Sequence, residues 1–464
     1  MNITEETKAL APWTEAVPAG WRVTRLDAVA DVMFSNVDKH TIDGEEPVRP
    51  CNYVDVYKND RITKDIDFME ASALDREIRK FQIRRDDVLA TKDSEEADDI
   101  AIPSLVAEDL PGVLCGYHLA MIRPRLASVS GPFLAWLHVS KSFRAQYEAK
   151  AVGVTRFGLS QYAFRAARIP LPPLPEQQRI AAYLDASCAA IDIAVAAKRA
   201  QIETLDGVRR EVIQKAVTRG LEERPILKKT GNVWMNELPC TWELVSLKRV
   251  SEIQGGLTLG KIYEGPLIER PYLRVANVQD GHLNLQDVTT IEVPEEVAHR
   301  VELRPGDVLM TEGGDLDKLG RGTIWNGEIP DCLHQNHIFA IRCFKHKLLS
   351  AFLAYLTASR YGRDYFEATG KRTTNLASTN STKVGLFPIP RSTIEEQRAI
   401  CRFLDEKLNH VAQIVNGIEA QIETLIAYRK SLIHECATGQ RRITDEDVRR
   451  AGHADSICPV EHRP

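Results

Sequence analysis

The strongest constraint on this chain is that much of it is written twice. Ala200-Gln-Ile-Glu-Thr-Leu205 recurs as Ala420-Gln-Ile-Glu-Thr-Leu425, a shift of 220 residues. Other pairs fall within one residue of that shift. Pro18 and Trp21 match Pro239 and Trp242. Asp87-Val-Leu-Ala-Thr91 matches Asp307-Val-Leu-Met-Thr311, Phe133-Leu-Ala-Trp-Leu137 matches Phe352-Leu-Ala-Tyr-Leu356, and Glu176-Gln177 matches Glu396-Gln397. A period this long is a duplicated module rather than a solenoid repeat. At 464 residues the chain also exceeds what one hydrophobic core supports, so two or more domains are expected.

Each copy has two parts. In the first, Asn52–Tyr57, Tyr272–Ala276 and His337–Arg342 read as short strands between Gly, Pro and Asp turns. Phe133–Tyr147 and Phe352–Phe366 read as helices with aromatic anchors on one face. The second part is a long helix. Its apolar stripe in copy one runs Ile180, Leu184, Cys188, Ile191, Val195, Lys198, Ile202, Leu205, Arg209, Val212, Ala216. In copy two it runs Ile400, Leu404, Leu408, Val411, Val415, Ile418, Ile422, Leu425, Arg429, Leu432, Cys436. Alternating steps of four and three are the seam of a coiled coil. Pro175 opens the first helix, and Thr393-Ile-Glu-Glu396 has the form of a capping box on the second.

One such helix, roughly 65 Å long at 1.5 Å per residue, cannot hide its own seam. Matching length and register predict that the two copies pack antiparallel within one chain; pairing with other chains is the alternative. The expected fold is α+β: two mixed domains at 10–170 and 235–390, long helices at 173–222 and 393–442 forming an intramolecular antiparallel coiled coil, and an exposed charged tail at 443–464.

Composition narrows the function classes. The chain is 44% hydrophobic and 27% charged, with no apolar run of the roughly 18 residues a membrane helix needs. Its polar start is unlike a secretory signal. Nine cysteines, an odd number without a Cys-x-x-Cys pair, fit a reduced cytoplasm rather than a disulfide framework. The formal net charge of −5 neither favours nor excludes nucleic-acid binding, because local basic loops set phosphate affinity.

Catalytic signatures are weak. No Asn-Pro-Pro-Tyr-like or Asp-Pro-Pro-Tyr-like motif is present to hold a base for methylation. Gly255–Lys261 approaches a phosphate loop, but Ile262 replaces the hydroxyl that would hold magnesium. Cys332, His334 and His337 match no common zinc spacing. The acidic run Asp93–Asp99 reads as a solvated loop. DNA reading is the chemistry that remains, with Arg and Lys on phosphates and Arg, Lys, Asn or Gln on base edges. The candidate residues are Lys371, Arg372, Thr373, Thr374, Asn375 and Lys383 in copy two, with Thr155, Arg156 and Gln161 at the corresponding stretch of copy one. A second candidate loop holds Lys318 and Arg321, opposite Lys92 in copy one. Ordinary surface loops are the alternative for all of them.

The helix starts, Pro173-Leu-Pro-Glu-Gln-Gln-Arg-Ile180 and Ile394-Glu-Glu-Gln-Arg-Ala-Ile400, are each followed by Leu-Asp (Leu184-Asp185, Leu404-Asp405). Occurring twice, this pattern resembles the specificity subunit of Type I restriction–modification systems, over about Pro18 to Arg442. The resemblance implies two target-recognition domains, each reading half of a split double-stranded DNA site. It implies spacer helices that dock two DNA methyltransferase subunits through a surface around Ile180, Leu184, Ile202, Leu205, Ile400, Leu404, Ile422 and Leu425. Restriction subunits would join that core. This chain would carry no cofactor and no catalytic residue; S-adenosylmethionine, ATP and magnesium would sit on its partners. A methylation-only system, or a coiled-coil scaffold without DNA binding, are the alternatives. The spacer helices are expected to set the distance between half-sites.

Overall fold

The computed structural model describes residues 17–314, 319–320, 322–372 and 377–454. Two compact units emerge, and they do not follow the linear order of the chain. The first is Met1–Lys198 with Ala420–Pro464; the second is Arg199–Glu419. Each unit therefore holds one mixed domain, one half of the first long helix and one half of the second.

In the first unit the central sheet has five strands: β1 (Ala30–Phe34), β2 (Arg61–Ile62), β3 (Val88–Thr91), β4 (Pro103–Val106) and β5 (Leu119–Pro124), in the order β1-β5-β3-β4-β2. β5 is antiparallel to both neighbours, with Ala120 opposite Phe34 and Leu119 opposite Thr91. A three-stranded sheet of Glu46–Cys51, Ala71–Ala73 and Val113–Cys115 packs nearby. Val88, Leu89, Leu119, Met121 and Leu114 are buried from these strands, because period-2 side chains must cover both faces of sheets enclosed by helices and loops.

The second unit repeats the plan. β6 (Ser251–Gly255), β7 (Val308–Thr311), β8 (Gly322–Ile324) and β9 (Ile338–Cys343) run in the order β6-β9-β7-β8. Ile268–Leu273, Thr289–Val293 and Leu333–His334 form the small sheet.

Three sequence expectations change. Asn52–Tyr57 is not a strand: Tyr53–Lys58 is a helix capped at Asn52, whose N–H donates to Asp55 at 2.7 Å. A local capping box here outweighs the β propensity of Tyr and Val. The 272–276 strand ends early at Leu273, where the Arg274 N–H turns to Asn277 Oδ1 at 2.7 Å and a 3-10 turn begins. Each aromatic-anchored helix is two helices, Gly131–Val139 with Lys141–Glu148 and Ser350–Ala358 with Arg360–Thr369. Ser140 and Ser359 end one and cap the next, so the chain bends and buries Phe133, Phe143 and Tyr147 together in the first unit and Phe352, Tyr365 and Phe366 in the second.

The long helices span Leu174–Arg219 and Ile394–Thr438. They run antiparallel where they meet. In the first unit Lys198 Nζ donates to Gln421 Oε1 and Arg429 pairs with Asp192 at 3.0 Å, so numbers rise on one helix as they fall on the other. In the second unit Ile213, Ala216 and Val217 share a core with Ile400, Cys401 and Leu404. Burial along the seam is graded. Ile180, Leu184, Ile400 and Leu404 are fully buried against their mixed domains, whereas Ile202, Leu205 and Leu425 mid-helix are half-buried. Both helices stop at a glycine, Gly220 and Gly439, at φ +77° and +84°. That left-handed conformation favours glycine, and each glycine lies against the tryptophan of its own unit, Trp242 or Trp21.

Two further points correct the sequence reading. The first long helix contains an 18-residue stretch of mean hydropathy 1.6, long and apolar enough by length and composition to cross a membrane. Alanine and one buried stripe produce that value, with Ile180, Leu184, Cys188, Ile191 and Val195 all buried within the first unit. The described part of the charged tail is largely exposed, as expected, but Ile443 at its start is buried and Asp445–Ala454 forms a helix. Among the described residues every cysteine is unpaired, and only Cys240 is exposed.

Candidate nucleic-acid interface

The repeated helix-start motif is accounted for residue by residue. Gln177 is fully buried. Its Oε1 accepts the Ser130 N–H at 2.8 Å, and its Nε2 donates to the carbonyls of Pro172 at 2.9 Å and Ser128 at 3.2 Å. Gln397 repeats this with Leu349 N–H, Lys347 O and Ser392 O at 2.9, 3.1 and 3.1 Å. A glutamine suits the position because one side chain must both accept and donate. Asp185 accepts the Trp136 indole N–H at 2.7 Å, and Asp405 accepts the Tyr355 hydroxyl. These bonds dock each long helix on the mixed domain of its own unit. Glu396 departs from the proposed capping box: Thr393 Oγ1 accepts its N–H at 3.2 Å, while its carboxylate accepts the Trp242 indole N–H at 2.9 Å.

Topology then brings the candidate loops together. β1 ends at Phe34, β3 ends at Thr91 and β5 begins at Leu119, all at one end of the sheet, by their register. The 152–158 segment joins that end. Val152 and Gly158 exchange backbone hydrogen bonds at 2.9 and 3.0 Å, Phe157–Gly158 pairs with Asp93–Ser94, and Leu159 N–H donates to Lys92 O at 2.8 Å. Glycine is required at the turn, because a Cβ on Gly153 would lie 1.9 Å from Arg156 O. The tip presents Val154, Thr155 and Arg156 to solvent.

In the second unit β6 ends at Gly255, β7 at Thr311 and β9 starts at Ile338, again at one end. Lys371–Arg372 pairs with Ala377–Ser378, which pairs with Gly313–Gly314, and Thr379 N–H donates to Glu312 O at 2.8 Å.

The candidate side chains separate here. Thr155, Arg156 and Lys371 are exposed. Lys92 is half-buried, with Nζ 4.5 Å from the Tyr117 ring centroid and 5.1 Å from that of Phe34; burial pushes its pKa down. Gln161 turns inward and donates to Val32 O at 2.7 Å, and Lys383 Nζ donates to Thr369 O. Arg372 lies on a short strand. Lys318, Arg321, Thr373, Thr374 and Asn375 lie outside the described residues.

Sequence reading weighed His337 only as a zinc ligand and Asp93 only as part of an acidic loop, and so missed two histidine–carboxylate pairs at the same sheet ends. His118 Nδ1 faces Asp93 Oδ2 at 2.8 Å, and His337 Nδ1 faces Glu312 Oε2 at 2.7 Å. Arg156 donates to the other oxygen of Asp93, and that hydrogen bond, the largest influence on it, raises its pKa. The signal was available, because His118-Leu-Ala-Met-Ile-Arg123 and His337-Ile-Phe-Ala-Ile-Arg342 are repeat partners. Burial instead explains Cys332 and His334, both enclosed, with His334 Nδ1 2.9 Å from Val301 O. Among the described residues no group of three or more His, Cys, Asp or Glu side chains is arranged to hold a metal.

Residues 111–204, running from the first mixed domain into the first long helix, match the family described as the Type I restriction modification DNA specificity domain. The chain is 25% identical to the Type I restriction enzyme EcoKI specificity subunit of Escherichia coli K12, over 68% of this chain and 65% of that one. Over these stretches the chain is similar to Type I specificity subunits. It is also 26% identical to the putative MjaX specificity subunit of Methanocaldococcus jannaschii, over 44% of this chain and 47% of that relative. The matched regions thus span less than two thirds of either relative. Two solved structures share the fold. A chain of a type I R-M system studied for complex assembly and conformational transition aligns over 92% of this chain and 99% of its own, with TM-score 0.69 and 20% identity. The HsdS subunit of Thermoanaerobacter tengcongensis aligns over 92% and 98%, with TM-score 0.54 and 21% identity.

Proposed function

We propose that this chain reads a split double-stranded DNA target, one half-site per reader, and docks two DNA methyltransferase subunits on its spacer helices. The observation that carries the reading is the duplication of one arrangement. In both units an exposed basic strand or turn and a histidine–carboxylate pair occupy the same end of the central sheet. The scaffold beneath is matched between the units, whereas the residues above it differ, as two readers of different half-sites require. Base-edge contacts specify and phosphate contacts position, and such loops offer groups for both.

The chain directs chemistry without performing it. S-adenosylmethionine belongs to the methyltransferase partners, and ATP and magnesium to restriction subunits where the system has them. Residues exposed along the spacer helices, rather than the buried Ile180, Leu184, Ile400 and Leu404, are then the ones available to partners. The site of action is cytoplasmic, where the host DNA and the reduced cysteines both belong.

Methylome sequencing of a host expressing this chain with its methyltransferase partner tests the reading. A two-part motif with an unread spacer is expected. Methylation without sequence preference, or none above a host lacking this chain, would overturn it.

A further inference from the structure

The histidine–carboxylate pairs have a chemistry of their own. His118 in the first unit and His337 in the second occupy equivalent backbone positions, and each faces a carboxylate, Asp93 or Glu312. Lys92 N–H donates to His118 O at 3.1 Å, and Glu312 N–H donates to His337 O at 2.8 Å. The carboxylate comes from adjacent positions of the repeat, Asp93 in one copy and Glu312 in the other, yet reaches the same ring atom. Both rings are accessible, with side-chain exposures of 41% and 54%. An ionised carboxylate only accepts hydrogen bonds, so a neutral ring facing it carries its proton on Nδ1; at His118 the Asp93 contact at 2.8 Å sets this against the longer approach of the Arg156 guanidinium, at 3.4 Å from the same nitrogen. That leaves Nε2, on the opposite edge, as an acceptor. The pair therefore offers an imidazole nitrogen lone pair beside carboxylate oxygens, a site built to receive hydrogen bonds.

A phosphate is a poor ligand for this arrangement, because the carboxylate repels it. A base edge that donates is a good one. In the major groove the donors are the exocyclic amino groups, adenine N6 and cytosine N4. Resting on the DNA-reading function proposed above, we infer that His118 and His337 are specificity-determining residues, each accepting from an exocyclic amino group in the half-site of its own reader. Asp93 and Glu312 are positioning residues that hold the rings in one tautomer. In the first reader Arg156, anchored on Asp93, supplies the neighbouring donor.

The test uses the full chain assembled with its methyltransferase partner and duplexes carrying its recognised site. At each A or C of a half-site, purine replaces adenine or 2-pyrimidinone replaces cytosine, which deletes only the amino group. For the wild-type complex one such deletion per half-site should weaken binding about tenfold, within the range for a direct base contact. In His118→Ala the first reader's deletion should have no further effect, while the other half-site is read as before and certifies the fold. His337→Ala should give the mirror result. His118→Gln, which places an amide oxygen or nitrogen near the Nε2 position, should recover part of the discrimination, and Asp93→Asn should lose part of it. If both alanine variants remain as sensitive to every deletion as wild type, the assignment is overturned. A loss equal on all sequences marks a phosphate contact and also overturns it. A wild-type complex that binds all duplexes alike would overturn the DNA-reading proposal itself, an outcome visible before any variant is made.

Discussion

Arg123 grips Asp87 with two nitrogens, Nε at 2.9 Å and Nη2 at 2.7 Å, in the core of the first reader, and Arg342 grips Asp307 in the second at 2.9 and 2.8 Å. Each aspartate is 1% exposed and also accepts a backbone N–H, from Arg84 or Arg304. Breaking such a pair leaves a charge buried without a partner. Asp87→Asn should destabilise the first unit by about 3 kcal/mol and leave the second unchanged. Hydrogen exchange resolved by unit checks this: protection should fall across Val88–Thr91 and Leu119–Pro124, not across Val308–Thr311.

Gln177 should behave as a rivet rather than a partner contact. Gln177→Leu deletes three hydrogen bonds that a fully buried amide makes to backbone groups, at a cost of about 1–3 kcal/mol. Exposed Gln178, one residue along the same helix, provides the control, and Gln178→Leu should be nearly silent in thermal unfolding. Equal effects from the two would show that burial of Gln177 does not govern helix docking.

His138 gives the first unit an acid sensitivity of its own. It is fully buried between Leu134 O at 2.7 Å and the Tyr147 hydroxyl at 3.0 Å, and burial pushes its pKa down to about 4. The folded state holds it neutral, whereas the unfolded chain protonates it near pH 6.5. Stability is therefore fully present above about pH 6.5 and lost as pH falls toward 4, amounting to about 2 kcal/mol by pH 5. Thr357 occupies the repeat position in the second unit and cannot titrate. The second unit holds a different buried histidine, His334, whose pKa burial also lowers, so the test is made within the first unit: hydrogen exchange there, corrected for intrinsic rates, should show weakening between pH 7 and 5. His138→Gln should lessen that weakening in the first unit and leave the pH response of the second unchanged.

Much of this architecture was legible because the duplication supplied its own alignment. Glu-Gln, Leu-Asp and the three-four seam marked both long helices, and all map onto packing or hydrogen bonds within a unit. What misled was local. Asn52–Tyr57 carries strand-forming side chains, but its helix depends on a capping carboxylate three residues on, a signal shorter than any periodicity. The breaks at Ser140 and Ser359 were hidden because apolar residues continue on both sides. At the candidate interface, charge picked out Arg156 and Lys371 but could not distinguish them from Lys92, whose ammonium lies over aromatic rings brought in from Phe34 and Tyr117. Gln161 likewise reads as a base-edge donor in sequence and spends its amide on Val32 O. His118 was overlooked because its partner Asp93, 25 residues away, becomes adjacent only when β3 and β5 pair.

The central claim is that two readers each recognise their own half-site. Exchanging residues 17–170 for the same region of a relative with a different target, then sequencing the methylome of a host carrying the hybrid and its methyltransferase, tests it most directly. The account predicts that one half of the two-part motif changes to the relative's and the other half stays as in wild type. A motif altered in both halves, or in neither, from a hybrid that still methylates would contradict it.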